Sequence, residues 1–201
     1  PYGSGSLKPE TVTSREVALE QRADRFRWRV TVYDSHVTNL ISSSQTLSTC
    51  AAGAFCYFNV GKANMQGVSL SAGTQWFGAQ LDASYDYLDA RDEIRNKQLS
   101  LRAQHQARFS ISKTLESVRV GAQLLAVGSR FDDAANTKEL PGYAVLNLSL
   151  QKQLSSQWSW LLRINNVTDK SYQQMGCTPG QCHFAAPGRS AFTSLTWTNK
   201  D

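Results

Sequence analysis

The chain has 201 residues, of which 41% are hydrophobic, and carries a formal net charge of +5. That length suits one domain or a piece of a larger protein. The basic residues are spread over many segments and form no cluster, which argues against a nucleic-acid-binding surface. No stretch approaches the roughly 18–20 apolar residues of a membrane helix, so a helical membrane protein is excluded, whereas a membrane barrel is not.

Apolar and polar residues alternate with a period of two along most of the chain, which indicates half-buried β-strands. From Phe77 to Tyr87, apolar residues fill every odd position, and polar residues or glycine fill every even position. Tight turns and longer loops alternate between the runs, as they do on the two rims of an outer-membrane barrel. The pattern predicts nine strands, at residues 14–21, 26–40, 58–73, 77–90, 99–113, 118–131, 140–153, 157–167 and 189–198.

The aromatic residues favour a membrane barrel over a soluble one. Amphipathic rings collect where lipid meets water. Tyr33, Tyr85 and Tyr87 lie toward one predicted rim. The tryptophans lie near short turns or the C-terminus, toward the other rim: Trp28, Trp76, Trp158, Trp160 and Trp197. A soluble β-sandwich or lipocalin-like barrel is the alternative, but several predicted strands exceed the usual five or six residues. We therefore predict an all-β, antiparallel, up-and-down transmembrane β-barrel.

Four cysteines form two local pairs, Cys50 with Cys56 and Cys177 with Cys182. Of the three possible connectivities, this one is favoured, and it implies an oxidising compartment. The first pair lacks the Cys-x2-4-Cys spacing of a structural zinc site; the second has it, but only His183 lies nearby, so we predict no metal and no cofactor.

Five short motifs follow one another in a fixed order: LKPE at 7–10, YFNVGKA at 57–63, SYDYLDAR at 84–91, VGSRFD at 127–132 and NVTDKSY at 166–172. Together they resemble the C-terminal part of TonB-dependent outer-membrane receptors. The third and fourth motifs are most similar to the cobalamin-receptor (BtuB-type) branch.

The resemblance implies that residues 1–201 are the C-terminal portion of a barrel of about 22 strands. About nine strands are recognisable, and the N-terminal plug with its TonB-contacting box is absent from the sequence. Two departures stand out. Ser69 occupies the usual position of a glutamate, and the chain ends on Asp201, where outer-membrane proteins usually end in an aromatic residue.

The function implied by the resemblance is cobalamin uptake across the Gram-negative outer membrane. Its partners would be TonB–ExbB–ExbD acting through the plug, outer-membrane lipid and lipopolysaccharide, and the barrel assembly machinery. A siderophore or haem receptor on the same scaffold is the alternative. Enzymatic activity is not predicted, because His36, His105 and His183 lie in no catalytic motif. His105 interrupts an apolar stripe, which indicates an interface residue.

The resemblance also suggests site residues. Phe184 and Arg102 would contact the ligand, with Leu101 as the alternative to Arg102, and Arg130, Tyr172 and Asp89 would follow on the rim. Polar residues on the inner face would contact the plug or remain solvated in the lumen: Arg27, Arg29, Asp82, Asp86, Arg108, Arg119 and Arg163.

Overall fold

A computed structural model describes residues 7–44, 56–175 and 184–199. No helix in these ranges is long and apolar enough to cross a membrane. They form the following strands: β1 (Thr11–Arg22), β2 (Phe26–Ser44), β3 (Cys56–Trp76), β4 (Ala79–Asp92), β5 (Lys97–Gln98), β6 (His105–Leu115), β7 (Val118–Val127), β8 (Arg130–Phe131), β9 (Glu139–Leu140), β10 (Tyr143–Gln153), β11 (Trp158–Asn165), β12 (Gln173–Met175), β13 (Phe184–Ala185) and β14 (Ser190–Trp197).

One large antiparallel sheet contains the long strands in the order β1-β2-β3-β4-β6-β7-β10-β11-β14, with β5 added beside β4. The strands of this order correspond to the nine predicted segments, so the all-β antiparallel prediction is confirmed. β8 pairs with β9, and β12 with β13, in two small sheets among the longer loops. Within the described residues, β1 and β14 do not pair with each other, so the sheet is open.

The predicted strand at 99–113 is wrong in its first part, because β6 begins at His105. Leu101 has a φ of 61°, in the left-handed region that a regular strand does not use. The N–H of Leu99 donates to the carbonyl of Ala90, and that of Leu101 donates to the carbonyl of Phe131. Residues 99–104 therefore form a loop held by neighbouring segments.

The pairing register separates apolar from polar side chains, because residues opposite each other point to the same face. One cross-strand row is apolar over seven strands: Leu19, Val30, Leu70, Tyr85, Ala107, Ala126 and Ala144. A row on the other face is polar except for one glycine: Arg22, Arg27, Gly73, Asp82, Ser110, Gln123 and Asn147. Val17 and Leu19, on the apolar face, are 70% and 65% exposed, as expected of side chains that meet lipid.

Aromatic residues mark both margins of the apolar face. All five tryptophans lie on this face by register. Trp160 donates its indole N–H to Thr193 Oγ1 at 2.8 Å. At the opposite margin, Tyr85 Oη lies 2.8 Å from His105 Nδ1, and the Tyr87 ring lies 5.3 Å from that imidazole. The structure thus places His105 in the aromatic margin.

Tyr33 does not belong to that margin. It pairs with Gly67 on the polar face, where its ring lies across the glycine. A Cβ on Gly67 would lie 2.2 Å from the Tyr87 carbonyl oxygen and 2.5 Å from Tyr33 Oη. The missing side chain at Gly67 therefore makes room for Tyr33.

We expect Gly67→Ala to destabilise the barrel by about 1–3 kcal/mol, because the new methyl group meets a backbone carbonyl that cannot rotate away. Gly121→Ala is the matched control, since its Cβ would meet the movable Ser149 Oγ at 2.7 Å and no other atom closer than 3.6 Å. Thermal unfolding of both variants in detergent checks this. Equal losses in the two variants would contradict the steric explanation.

Candidate ligand-binding rim and lumen wall

The seven residues predicted for the inner face all lie on the polar face of the sheet, according to the pairing register: Arg27, Arg29, Asp82, Asp86, Arg108, Arg119 and Arg163. We call this face the lumen wall, because the opposite face carries the apolar band and its aromatic margins. The wall divides into two sectors with different charge.

The first sector, β1–β4, pairs most of its charges internally, while Asp86 accepts a hydrogen bond from the Ser69 hydroxyl at 2.6 Å. Arg27 forms an ion pair with Asp82 across β3. Arg29 lies 3.5 Å from Glu16 and 3.7 Å from Glu20, measured between guanidinium nitrogens and carboxylate oxygens. These side chains are about half exposed, so each pair contributes little to stability. Their main effect is to leave this sector close to neutral.

The second sector, formed by β6, β7, β10, β11 and β14, carries arginine without acid on its lumen face. Arg108, Arg119 and Arg163 point to the lumen, and none forms an ion pair with another described residue. Arg119 donates to Ser112 Oγ at 3.0 Å. Beside Arg163, a hollow in this sector is lined by neutral polar side chains: Ser110, Ser112, Gln123, Asn147, Ser149 and Asn165.

At the rim with the longer loops, the structure brings together two predicted residues, Arg130 and Tyr172, through a third, Tyr143. The rings of Tyr143 and Tyr172 stack with centroids 3.9 Å apart. The Arg130 guanidinium carbon lies 5.7 Å from the Tyr143 ring centroid. Arg130 is only 6% exposed, so it is part of the rim's interior.

The other predicted rim residues are not joined to this cluster. Arg102 is half-buried in the loop before β6, where its Nη1 donates to the Ser100 carbonyl at 3.2 Å. Asp89 lies on the outward face and pairs with Arg91 at 2.9 Å. Phe184 begins β13. The predicted disulfides lie outside the described residues, apart from the backbone of Cys56.

Sequence reasoning missed the residues that connect the loops. Asn136 accepts from the Gln98 N–H at 2.8 Å and donates to the Gln98 carbonyl at 2.9 Å, which joins the loop after β8 to β5. Asn136 has a φ of 57°, a conformation that asparagine tolerates well. The Asp-Asp-Ala-Ala-Asn run was the available signal for a turn, but it could not reveal a partner 38 residues away.

Asp133 organises the turn that presents Asn136. Its carboxylate accepts hydrogen bonds from the N–H of Lys138 at 2.7 Å and from the N–H and hydroxyl of Thr137, each at 2.9 Å. Burial acts to raise the pKa of Asp133, but these hydrogen bonds outweigh it and hold the pKa below its ordinary value. The described residues contain no group of three or more potential metal ligands.

Comparison with known proteins settles the family. Residues 1–167 match the family described as TonB dependent receptor-like, beta-barrel. The chain belongs to this family. It is 32% identical, over 170 residues, to the vitamin B12 transporter BtuB of Photobacterium profundum. That match covers 85% of this chain but only 28% of the transporter.

Solved structures show the same fold. The copper transporter OprC superposes with a TM-score of 0.82 at 19% identity, over 96% of this chain and 32% of its own. The ferric yersiniabactin uptake receptor FyuA from Yersinia pestis gives 0.75 at 16% identity, over 93% of this chain and 30% of its own. The family consists of receptors and transporters of the Gram-negative outer membrane, not of enzymes. The protein is thus an outer-membrane β-barrel protein.

We predict that acid loosens the turn at residues 133–138. A depressed carboxyl pKa means that the turn's stabilisation is fully present above the unfolded pKa of about 3.9 and is lost as pH falls through the lower folded pKa. Hydrogen exchange of the Thr137 and Lys138 amides, corrected for intrinsic rates, measures this loss. In Asp133→Asn the low-pH loss of protection should be absent, and a pH response like that of the unsubstituted protein would refute the assignment.

Proposed function

We propose that the protein takes up cobalamin across the outer membrane, with this chain forming part of the barrel wall and of the ligand-binding rim. The observation that carries the proposal is the 32% identity to a vitamin B12 transporter over 170 residues. This chain spans 28% of that relative's length.

The chemistry of the rim supports a neutral ligand. Cobalamin carries many amide groups, which need hydrogen-bonding partners and aromatic surface rather than a dense positive charge. Several charged rim side chains are engaged within the protein: Asp89 with Arg91, Arg130 with backbone carbonyls, and Asp133 with its own turn. Their engagement leaves less free charge at the rim for an anionic siderophore.

Three of the predicted ligand contacts lie in positions that suit the proposal. Arg102 is half-buried in a loop beside the rim, and Phe184 lies in a hairpin of the last long loop. Tyr172 offers a stacked ring next to that hairpin. Asp89 faces outward, so its role in the proposal is to fix Arg91, not to touch the ligand.

The lumen wall fits transport by a family member with a plug. We place the plug against the second, arginine-bearing sector, whose charges lack acidic partners in the described wall. Energy from TonB–ExbB–ExbD would act through that plug. The apolar band faces lipid and lipopolysaccharide, and the barrel assembly machinery would insert the strands.

Binding in detergent tests the ligand. Protein purified from outer membranes should bind cyanocobalamin saturably, and Phe184→Ala or Arg102→Ala should each weaken binding by about tenfold, equivalent to about 1.4 kcal/mol. Matched controls are Phe77→Ala, in the turn at the opposite rim, and Arg15→Ala, on the exposed outward face of β1. Neither control should change the affinity.

A ferric siderophore and haem serve as competing ligands in the same assay. Saturable binding of either one, without cobalamin binding, would overturn the proposed ligand and leave the barrel assignment intact. Uptake of labelled cobalamin by cells with and without TonB then tests the transport step, which should disappear when TonB is deleted.

A further inference from the structure

We propose that Arg130 is a positioning residue that holds the two described ends of the last long loop, residues 166–175 and 184–189, in place for ligand binding. The inference rests on the proposed function, because this loop carries Phe184. Arg130 is itself 6% exposed, so a ligand at the rim does not reach it. Its Nη2 instead donates two hydrogen bonds, to the carbonyl of Gln173 at 2.6 Å and to that of Gln174 at 2.9 Å.

These two carbonyls belong to β12, which is itself hydrogen-bonded to the returning segment of the loop. Gln173 pairs with Ala185 of β13, and the Ala186 N–H donates to the Tyr172 carbonyl at 3.0 Å. One guanidinium therefore restrains the outgoing segment directly and the returning segment through the hairpin. Phe184 immediately precedes Ala185 on the returning segment.

We call the contact between the Arg130 guanidinium and the carbonyls of β12 the Arg130 clamp. Arg130 itself is fixed to the barrel in two ways. Arg130 lies in β8, where it pairs with Leu140 of β9. Its guanidinium also packs over Tyr143, the first residue of β10, whose ring stacks on Tyr172 of the restrained loop. The loop is thus held at two neighbouring points, by hydrogen bonds at Gln173 and Gln174 and by ring stacking at Tyr172.

The remaining terminal nitrogen, Nη1, is buried without a hydrogen-bond partner. A buried unpaired donor is unfavourable, and an apolar side chain at this position would avoid the penalty. The chain nevertheless has an arginine at this position. We infer that its two hydrogen bonds to the β12 carbonyls, which an apolar side chain could not make, are the reason. A lysine carries the same charge but lacks the planar fork, so it would replace these contacts only in part.

Hydrogen exchange of the purified protein in detergent tests the clamp without any ligand. In Arg130→Gln, exchange of amides in residues 173–175 and 184–186 should rise by about tenfold or more, since hydrogen bonds to a charged donor are lost. Exchange in β7 and β10 should stay unchanged. In Arg130→Lys, the exchange rates of these amides should lie between those of Arg130→Gln and those of the unsubstituted protein. Arg15→Gln, on the outward face of β1, should exchange like the unsubstituted protein.

The effect of the clamp on ligand binding is measured as the dissociation rate of cyanocobalamin. Arg130→Gln should raise this rate several-fold at an unchanged melting temperature. Arg130→Lys should raise it less. Unchanged exchange at 173–175 in Arg130→Gln would overturn the clamp. Faster exchange with an unchanged dissociation rate would overturn its role in binding. If the unsubstituted protein binds no cyanocobalamin, the proposed ligand fails, while the exchange result still decides the clamp.

Discussion

The structure depends on one constraint: every backbone N–H and carbonyl within the bilayer must find a partner in a neighbouring strand. The antiparallel ladders meet that demand, and they also fix the register between strands. A shift of one residue would move all apolar side chains of a strand to the lumen. The unbroken apolar row from Leu19 to Ala144 shows that seven consecutive strands keep the same register of faces.

The sequence predicts the strands through their apolar–polar alternation, but it does not predict contacts between loops. Where alternation is regular, as in β4 and β10, the strand was evident because the bilayer demands it. Residues 99–104 alternate equally well, yet the N–H of Leu99 bonds to Ala90 across the preceding turn, and that of Leu101 bonds to Phe131, which is distant in sequence. Arg130 was recognised as a rim residue, but its burial depends on a loop more than forty residues away. Contacts of this kind produce no repeating pattern in the sequence.

The lumen wall and the rim manage charge in different ways. In β1–β4, carboxylates offset arginines across neighbouring strands, whereas β6–β14 keeps three arginines among neutral amides and hydroxyls. At the rim, Asp133 and Arg130 direct their charges to backbone groups, which orders loops that lack regular ladders. Charged side chains therefore order the loops at the rim and make one side of the lumen positive.

The β2–β3 hairpin continues far beyond the aromatic margin at Tyr85, Tyr87 and His105. From Val32, level with that margin, to Ser44 is roughly 40 Å along the strand, or about 30 Å in height at the usual tilt. A small hydrophobic cluster supports this extension where water competes for the backbone: Val37, Leu40, Ala63, Ala90 and Leu99. The extension therefore rises above the lipid surface by about the thickness of the bilayer's own hydrocarbon core, roughly 30 Å.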